Sequence, residues 1–292
     1  MIERYLVHYF LAVVDQGNFS RAAQHCRVSQ PTLSVGIAKL EAMTGHMLFH
    51  RTNRRVELTS FGATFAVHAR RIEAEFAMAM QAMATDQKSR LVRIGVISTL
   101  PSSWIENATR EACKVEGERV EIVEGRMRDL LPRLERGRID AIAGIVGNDP
   151  RARDTWFEEG YALALSATHR LAQRRTLEAE ELADCDMLVR RNCEALSQVS
   201  QFFTQRGIRP FFAARTTNDD RAAAYVRSGL GLTVMPRCYA QAGIAMPELS
   251  GFDLRRRIGL LVDPANAARI DDSQSVQRFS SAIRAANASL TP

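Results

Sequence analysis

The sequence predicts an α/β fold in three parts: a winged helix-turn-helix, one long helix, and a larger two-lobed α/β domain. Three patterns along the 292 residues support this fold class. Two short helical segments separated by a turn lie within 18–44, and an unbroken apolar stripe at helical spacing covers 60–85. From Leu91 onward, strand patterns alternate with helical patterns. Such alternation favours a parallel sheet covered by helices.

The amino-terminal part begins with a helix predicted over 2–16, followed by a short second helix and a longer third one. The buried side of the first helix is expected to hold Tyr5, Tyr9, Phe10, Val13 and Val14. Ser20 and Ser29 are the expected N-caps of the second and third helices. Pro31 falls in the first turn of the third helix, where a missing N–H is tolerated, and Gly45 can end that helix.

Residues 48–51 and 55–58 are predicted to be two short strands around a basic turn, which together form a wing. A helix-turn-helix places the amino end of its second helix in the major groove of DNA, while basic side chains contact phosphates. Two helices joined by a turn are also common as a simple packing unit, but the basic wing favours DNA binding. The candidate DNA-binding residues are Ser29, Gln30, Pro31, Thr32, Ser34, Lys39, Arg51, Arg54 and Arg55.

The charge distribution is compatible with a nucleic-acid partner. The net charge is +6, and the first 90 residues carry 11 basic and 7 acidic side chains. This part is therefore the more basic one per length, as contact with phosphates requires. A basic surface also aids solubility, so the modest asymmetry supports DNA binding only together with the motif.

The remaining composition argues against metalloproteins, enzymes and membrane proteins. Five cysteines without CxxC spacing and six unclustered histidines give no sign of disulfides, metal sites or cofactors. Neither a serine-histidine-aspartate order nor a phosphate-binding glycine loop can be assigned, so we do not expect an enzyme. The apolar runs are far shorter than the ~18 residues of a membrane span, and no signal-peptide pattern is visible. We therefore expect a cytoplasmic protein.

Residues 60–85 are predicted to form one long helix with an apolar seam close to a heptad repeat. The seam consists of Phe61, Phe65, Ala69, Ile72, Phe76, Met80 and Met83. The length of the helix and its unbroken seam favour a partner helix, and hence a dimer, over packing against its own domain alone. Polar residues 86–90 follow as a hinge.

The amino-terminal part, with its helix-turn-helix and wing, resembles the DNA-binding domain of LysR-type transcriptional regulators. The matching residues are Phe10, Val14, Phe19, Ala22, Ala23, 28–34, Ile37, Leu40, Glu41, Gly45, Leu48, Phe49, Arg51, Leu58, Thr59 and Gly62. The resemblance implies a homodimer formed through the long helix, and it is compatible with a tetramer. Val35 and Gly36 stand where the family carries long polar side chains, so the usual operator preference is not carried over. A glycine inside a helix also costs roughly 1 kcal/mol relative to alanine.

Residues 91–292 resemble the effector domain of the same family, which is built like a periplasmic solute-binding protein. Segments 169–172 and 229–236 match recurrent family segments. We predict strands at 91–97, 120–123, 139–146, 162–166, 187–190, 211–215, 232–236 and 257–262, and helices at 104–115, 127–136, 194–206, 219–228 and 273–288. The predicted domains are 1–59 (winged helix-turn-helix), 60–90 (dimerisation helix and hinge) and 91–292 (effector domain, with one lobe of 91–160 and 263–292 and the other of 161–262).

Ligands of open α/β sheets bind beyond the carboxyl ends of the strands, where helix N-termini present N–H groups. The hydroxyl-rich turn 98–103 follows the first strand of the effector domain and suits a carboxylate, although Ser102 is equally suited to plain N-capping. Thr99 matches the position at which the family contacts its effectors. The candidate effector-binding residues are Ser98, Thr99, Ser102, Arg191, Asn192, Cys193 and Asn218.

The main functional prediction is a sequence-specific DNA-binding transcriptional regulator whose activity is set by a small anion bound between two lobes. A solute-binding or enzymatic domain with accessory helices is disfavoured, because neither function needs the basic wing. The main alternative is a redox-sensing regulator that acts through Cys193. Asn192 is expected to cap a helix that begins near Cys193, and the helix dipole with Arg190 and Arg191 favours a thiolate there.

Peroxide-sensing members of the family resemble this chain around Cys193, with a reactive cysteine at the start of the matching helix and a second cysteine further on. This chain has Phe202 and Phe203 at the second position, so that disulfide cannot form. Cys185 precedes a predicted strand, which is expected to hold it away from Cys193. An inert cysteine that only lines a pocket or the core remains the other interpretation.

Overall fold

The computed structural model describes residues 2–51, 56–84 and 90–290. The helices are α1 (Arg4–Gln16), α2 (Phe19–His25), α3 (Gln30–Thr44), α4 (Ser60–Ala84), α5 (Ser102–Ala112), α6 (Met127–Glu135), α7 (Leu196–Gln205), α8 (Asp219–Arg227), α9 (Ala267–Asp271) and α10 (Gln274–Ala288). The strands are β1 (Phe49–Arg51), β2 (Val56–Leu58), β3 (Arg90–Ile97), β4 (Glu118–Gly125), β5 (Ala141–Ile145), β6 (Ala152–Ser166), β7 (Thr176–Leu177), β8 (Met187–Arg190), β9 (Phe212–Thr216), β10 (Thr233–Pro236), β11 (Ile244–Ala245), β12 (Glu248–Leu249) and β13 (Arg255–Val262). The amino-terminal unit contains α1–α4 with β1 and β2, and a larger unit contains the other elements.

The amino-terminal unit is a three-helix core followed by a hairpin. Its apolar centre includes Leu6, Phe10, Leu33, Ile37 and Leu40, which are all fully buried. The hairpin pairs β1 with β2 in antiparallel register. The predicted winged helix-turn-helix is therefore confirmed as the fold of this unit.

Two local details of this unit differ from the predictions. Asn18, not Ser20, caps α2, because its side chain accepts hydrogen bonds from the N–H groups of Ser20 and Arg21. Tyr5, predicted to be buried, is 42% exposed, and its hydroxyl accepts a hydrogen bond from Lys39. The predicted cap at Ser29 and the helix end at Gly45, with its φ of +71°, are both observed.

Gly36 lies where α3 comes close to α1. A Cβ atom at this position would stand 2.7 Å from the ring of Tyr9, so a larger residue requires that ring to move. The expectation that glycine at position 36 removes a possible DNA contact is wrong, because this position is buried and a side chain here would face α1. The neighbouring Val35 is 69% exposed and does present an apolar side chain to the outside.

The long helix α4 has one face packed on its own unit and another face exposed. Ala66 and Ala69 are buried, and the rings of Phe65 and Phe10 meet edge to face at 5.0 Å between centroids. Further along the helix, large apolar side chains remain 42–56% exposed, namely Ile72, Phe76 and Met80. A single chain therefore leaves these three seam residues exposed.

The larger unit is built on a mixed sheet with the strand order β10-β6-β13-β5-β3-β4, and β11 pairs with the end of β6. Strands β3, β4 and β5 are parallel, as predicted, but β13 is antiparallel to both β5 and β6. The expectation of a parallel sheet therefore holds only for one part of it. Strand β6 runs through residues 160 and 161 without interruption, so the predicted boundary between the two lobes falls inside one strand. The division into lobes remains a prediction.

A second layer consists of the parallel pair β8 and β9, with α7 as the connection between them. β8 is also linked to the strand region before β10 through a bridge between Met187 and Leu232. An apolar core forms around these elements, and it includes Leu163, Leu177, Leu182 and Phe203. The carboxyl ends of β3 in the large sheet and of β8 in this layer supply the side chains described next.

Candidate functional site

The amino end of α3 presents a set of polar side chains that hold one another in place. Ser29 Oγ accepts a hydrogen bond from the N–H of Thr32 at 3.2 Å and lies 2.7 Å from the hydroxyl of Thr32. Gln30 Nε2 donates to Ser34 Oγ at 2.9 Å. Ser29, Gln30, Pro31 and Thr32 are exposed and Ser34 is half-buried. Five of the candidate DNA-binding residues therefore lie together on one exposed helix end.

Among the basic candidate DNA-binding residues, only Lys39 has a side chain that the structure describes. Lys39 Nζ donates to Glu3 Oε1 at 2.8 Å, and this hydrogen bond raises the pKa of Lys39. Its charge is thus compensated within the chain, whereas the sequence predicted a contact with phosphate. Arg51 ends β1, but its side chain, together with Arg54 and Arg55, lies outside the described residues. Their predicted contacts with phosphate stay predictions.

A cavity of about 1000 Å³ lies beyond the ends of β3 and β8 in the larger unit. Five of the seven candidate effector-binding residues line it, namely Ser98, Thr99, Arg191, Asn192 and Cys193. The other two, Ser102 and Asn218, line an adjoining cavity of about 500 Å³, which shares Ser98 and Asn192 with the first. The turns that follow β3 and β8 both lie in this region. Residues almost a hundred positions apart in the sequence, such as Ser98 and Asn192, therefore line the same cavity.

Arg256 of β13, which the sequence analysis missed, is buried behind the cavity lining and contacts two lining residues, Thr99 and Glu194. Its side chain is only 2% exposed. It donates to Thr99 Oγ1 at 3.0 Å and to the Thr99 carbonyl at 3.2 Å. It also forms ion pairs with Glu159 on β6 and with Glu194 after β8. Thr99 is therefore buried and already bonded within the chain, and Arg256 faces two carboxylates.

The carboxylate of Glu194 is further held by Tyr161, whose hydroxyl donates to it at 2.5 Å. Burial alone would raise the pKa of Glu194, but Arg256 and the hydrogen bond from Tyr161 lower it below its usual range. Burial raises the pKa of Tyr161, so this hydroxyl stays protonated and remains a donor. Glu194 is consequently an anion at neutral pH, fixed between two donors.

Ser102 is also engaged by a carboxylate of the protein. Asp220, in the first turn of α8, accepts hydrogen bonds from the Ser102 N–H at 3.2 Å and from its hydroxyl at 2.5 Å. Pro101 occupies the N-cap position of α5, so Ser102 is not the N-cap. Asn218 caps α8 by accepting from the N–H of Arg221 at 2.8 Å. The N-terminus of α5 thus already has an anion next to it.

The environment of Cys193 differs from the one predicted. α7 begins at Leu196 with Ala195 as its N-cap, and the side chain of Asn192 donates to the Thr217 carbonyl instead of capping the helix. The Cys193 sulfur accepts a hydrogen bond from the N–H of Ala195 at 3.3 Å. Burial raises the pKa of this thiol, and the opposing effect of Arg190 does not cancel that rise.

Arg190 is committed to another partner. It is 3% exposed and forms a bidentate pair with Asp219, which is itself buried. Its remaining nitrogen donates to the Val234 carbonyl at 2.8 Å. Arg190 lowers the pKa of Cys193, as expected, but its charge is shared with Asp219 and the opposite effect of burial is larger, so the predicted thiolate is not favoured.

All five cysteines are free. Strand β8 lies between Cys185 and Cys193, and its four residues alone span about 10 Å, more than a disulfide bridges between Cα atoms. Phe202 and Phe203, where peroxide sensors carry their second cysteine, are both buried and pack edge to face. Neither Cys185 nor the positions of Phe202 and Phe203 therefore supply a partner thiol for Cys193.

The cavity also contains residues that the sequence analysis did not single out. Exposed arginines at its rim are Arg128, Arg191 and Arg209, of which only Arg191 was predicted. One side of α7 forms a wall of the cavity through Leu196, Ser197, Val199, Ser200, Phe203 and Thr204. These six positions follow the helical repeat, so their common face was readable from the sequence once α7 was located.

The described residues contain no group of histidines, cysteines and acidic residues that could hold a metal ion. Among the described helices, none combines the length and the apolar character that a membrane span requires.

Comparison with known families matches residues 85–286 to the LysR substrate binding domain. Residues 5–63 match the bacterial regulatory helix-turn-helix protein of the lysR family. The chain belongs to the LysR family of transcriptional regulators. The suspected family, the fold class and the prediction of a DNA-binding regulator with a ligand-binding domain are therefore confirmed.

Curated LysR-family relatives cover most of the chain. A hydrogen peroxide-inducible genes activator from Pectobacterium carotovorum is 30% identical over 240 residues, which are 79% of this chain and 78% of the relative. A probable hydrogen peroxide-inducible genes activator from Mycobacterium avium is 31% identical over 268 residues, with 86% and 85% covered.

Solved structures confirm the LysR fold along the whole chain. A full-length OxyR variant from Pseudomonas aeruginosa superposes with a TM-score of 0.60 at 22% identity, covering 97% of this chain and 98% of that one. Full-length CbnR in complex with its target DNA gives a TM-score of 0.54 at 21% identity, covering 97% and 99%.

Proposed function

We propose that this LysR-family regulator reads its operator with the amino end of α3, and that a small organic anion in the 1000 Å³ cavity sets its activity. The observation that carries the effector part is the combination of a large cavity with cations at its rim. Arg191 and Arg209 both line the cavity, and neither forms an ion pair within the described part of the chain. An anionic ligand gives these charges a partner.

DNA reading is assigned to α3 because its amino end is exposed and preorganised. The hydrogen bonds between Ser29 and Thr32, and between Gln30 and Ser34, fix polar groups on the part of the helix that enters the major groove in this class of motif. Side-chain amides and hydroxyls can hydrogen-bond to base edges and to phosphates.

Dimerisation is assigned to α4. The exposed seam residues Ile72, Phe76 and Met80 recur at intervals of four, which places them on one face of the helix. A row of large apolar side chains on one helix face is the usual surface for a second helix. A dimer also matches the two half-sites that regulators with this DNA-binding motif read.

Fluorescence anisotropy with labelled DNA from upstream of the protein's own gene tests this function. We expect specific binding, and a change of at least about threefold in affinity when an organic anion that occupies the cavity is added. Arg191→Gln should abolish the response to the anion and leave DNA binding intact. The matched control is Arg221→Gln, an exposed arginine of α8 that does not line the cavity, and it should respond like wild type.

The second candidate function is redox sensing through Cys193, and the curated relatives named as hydrogen peroxide-inducible gene activators favour it. Cys193 is half-buried, its pKa is raised, and it forms no disulfide in the described fold. These features oppose a reactive thiolate. Regulation by a bound anion is therefore the function that this geometry supports better.

A further inference from the structure

The inner face of α7 has the composition of a wall for an apolar ligand. Its cavity-lining positions are 196, 197, 199, 200, 203 and 204, so they form a continuous stripe over two turns of the helix. Leu196, Val199 and Phe203 contribute the apolar part, while Ser197, Ser200 and Thr204 lie beside them with hydroxyl groups. One long side of the cavity is thus apolar, with three hydroxyls next to it.

The strands and the loop around α7 extend this apolar surface. Met187 on β8, Ile208 after α7 and Phe212 on β9 line the same cavity. Met187 and Ile208 belong to the apolar core of this layer, so their positions are fixed by packing. Ligand sites are commonly apolar with a few well-placed polar groups. This end of the cavity fits that description without any charged wall residue except Arg209 at its rim.

The turn residues Thr99 and Ser102, which were predicted to bind an anion, already belong to hydrogen-bond networks that contain carboxylates of the chain itself. Glu194 and Glu159 neutralise Arg256, to which Thr99 is bonded. Asp220 occupies the hydrogen-bonding groups of Ser102. Adding another carboxylate beside these groups brings like charges together, which is unfavourable at short range. The negative charge of a ligand is therefore expected to lie next to the arginines elsewhere around the cavity.

Those cations stand at the rim. Arg128, Arg191 and Arg209 are exposed and line the cavity, so their guanidinium groups remain hydrated when no ligand is bound. Arg128 has Asp129 at 4.0 Å, whereas Arg191 and Arg209 form no ion pair in the described ranges. An apolar interior with cations at the rim is complementary to a molecule with an apolar body and one anionic end.

We propose that the effector is an amphipathic monocarboxylate, with an aliphatic chain or aromatic body of about ten carbons lying along α7 and its carboxylate at the rim arginines. The cavity volume of about 1000 Å³ matches a ligand of this size, since sites for such molecules measure roughly 300–1,000 Å³. The proposal rests on the proposed function and adds the chemical class of the ligand.

Isothermal titration calorimetry of the full chain with decanoate, acetate and 1-decanol tests this class. Each buried methylene favours binding, so decanoate should bind at least roughly 100-fold more tightly than acetate. Decanoate should also bind at least roughly 10-fold more tightly than 1-decanol, because the alcohol lacks the charge that pairs with arginine.

Two substitutions place the ligand. Val199→Trp fills the apolar side of the cavity and should weaken decanoate binding at least roughly 10-fold, whereas Gln201→Trp, on the exposed face of the same helix, should not. Arg209→Gln should weaken decanoate and leave 1-decanol unchanged. Because Arg209 is exposed, this variant remains a valid test even if Val199→Trp fails to fold.

The outcomes separate this proposal from the proposed function. If acetate or another short anion binds and alters DNA affinity while decanoate does not bind, the amphipathic class is wrong and regulation by an anion stands. Equal weakening of decanoate by Val199→Trp and Gln201→Trp would also overturn the placement along α7. If no organic anion binds, both the ligand class and the proposed effector function are wrong.

Discussion

Asp220 at the start of α8 holds Ser102 at the start of α5 through both the backbone N–H and the hydroxyl of the serine. The carboxylate thereby connects an element that follows β3 of the large sheet with an element that follows β9 of the second layer. It also supplies the negative charge that the N-terminus of a helix favours. Next to it, Asp219 makes a buried bidentate pair with Arg190.

The neighbouring aspartates are predicted to differ strongly in their contributions to stability. Asp219→Ala leaves Arg190 buried without its carboxylate and should lower the free energy of unfolding by about 3–5 kcal/mol. Asp220→Ala removes a partly buried helix-terminal interaction and should lower it by only about 0.5–2 kcal/mol. Urea denaturation of both variants measures the two values. Equal losses would contradict the prediction that the buried Arg190–Asp219 pair contributes more to stability than the Asp220–Ser102 contact.

The pH dependence of stability is predicted to include a contribution from Glu194. Its pKa is lowered in the folded protein, so its stabilising effect is present above the unfolded value of about 4.3 and is lost as pH falls through the folded value. Glu194→Gln should be less stable than wild type by about 1–3 kcal/mol at neutral pH. This difference should shrink below about pH 4.

The control for this measurement is Glu106→Gln, an exposed residue on α5, which should stay within about 0.5 kcal/mol of wild type at neutral pH. A difference between wild type and Glu194→Gln that stays constant from pH 7 to pH 3 would contradict the role assigned to the Glu194 carboxylate.

The exposed seam on α4 gives a prediction about assembly. Ile72→Asp places a charge where a partner helix would cover it, and burying that charge unpaired costs several kcal/mol. Analytical ultracentrifugation should show monomers or a mixed population. Glu75→Ala, an exposed position on the same helix that lies off the seam, should keep the wild-type oligomer. If Ile72→Asp sediments like wild type, the seam does not form the dimer.

Cys193 is predicted to react slowly with alkylating reagents. Burial raises its pKa above the ordinary thiol value of about 8.5, so the thiolate fraction at neutral pH is small. The measurement is the labelling rate against pH in a variant that lacks the other four cysteines. The rate should rise only at alkaline pH, above the ordinary thiol value. Fast labelling at pH 7, with oxidation by dilute hydrogen peroxide, would instead establish the redox-sensing alternative.

Local sequence signals predicted most helices and the turns that form the cavity, because capping residues and apolar periodicity act within a few positions. The strand β6 was predicted only over its last five residues. Its first ten contain two adjacent pairs of charged residues at 153–154 and 158–159, which break an alternating pattern, and they form a strand because β13 pairs with them, as in Arg257 opposite Glu158. Such pairing depends on residues about a hundred positions away.

Local sequence signals also predicted the general location of the candidate site. Turns after strands are recognisable, so all seven effector-binding candidates lie around the two adjoining cavities. Arg256, Glu194 and Asp220 were missed because their roles come from an ion pair and from hydrogen bonds across the fold. The start of α7 was misplaced because Asn192 bonds to the Thr217 carbonyl, a partner that no local pattern indicates.

The most direct measurement is the affinity of the full chain for DNA from upstream of its own gene, compared with scrambled DNA of equal length at one salt concentration. Wild type should prefer the upstream DNA by at least roughly 1,000-fold. Gln30→Ala combined with Thr32→Ala should reduce this preference by roughly 10-fold or more, since each base contact is worth about 1–3 kcal/mol. Gln198→Ala on α7 should leave it unchanged. Equal affinity for both DNAs, or an unaffected preference in the α3 variant, would contradict the assignment of α3 as the DNA-reading helix.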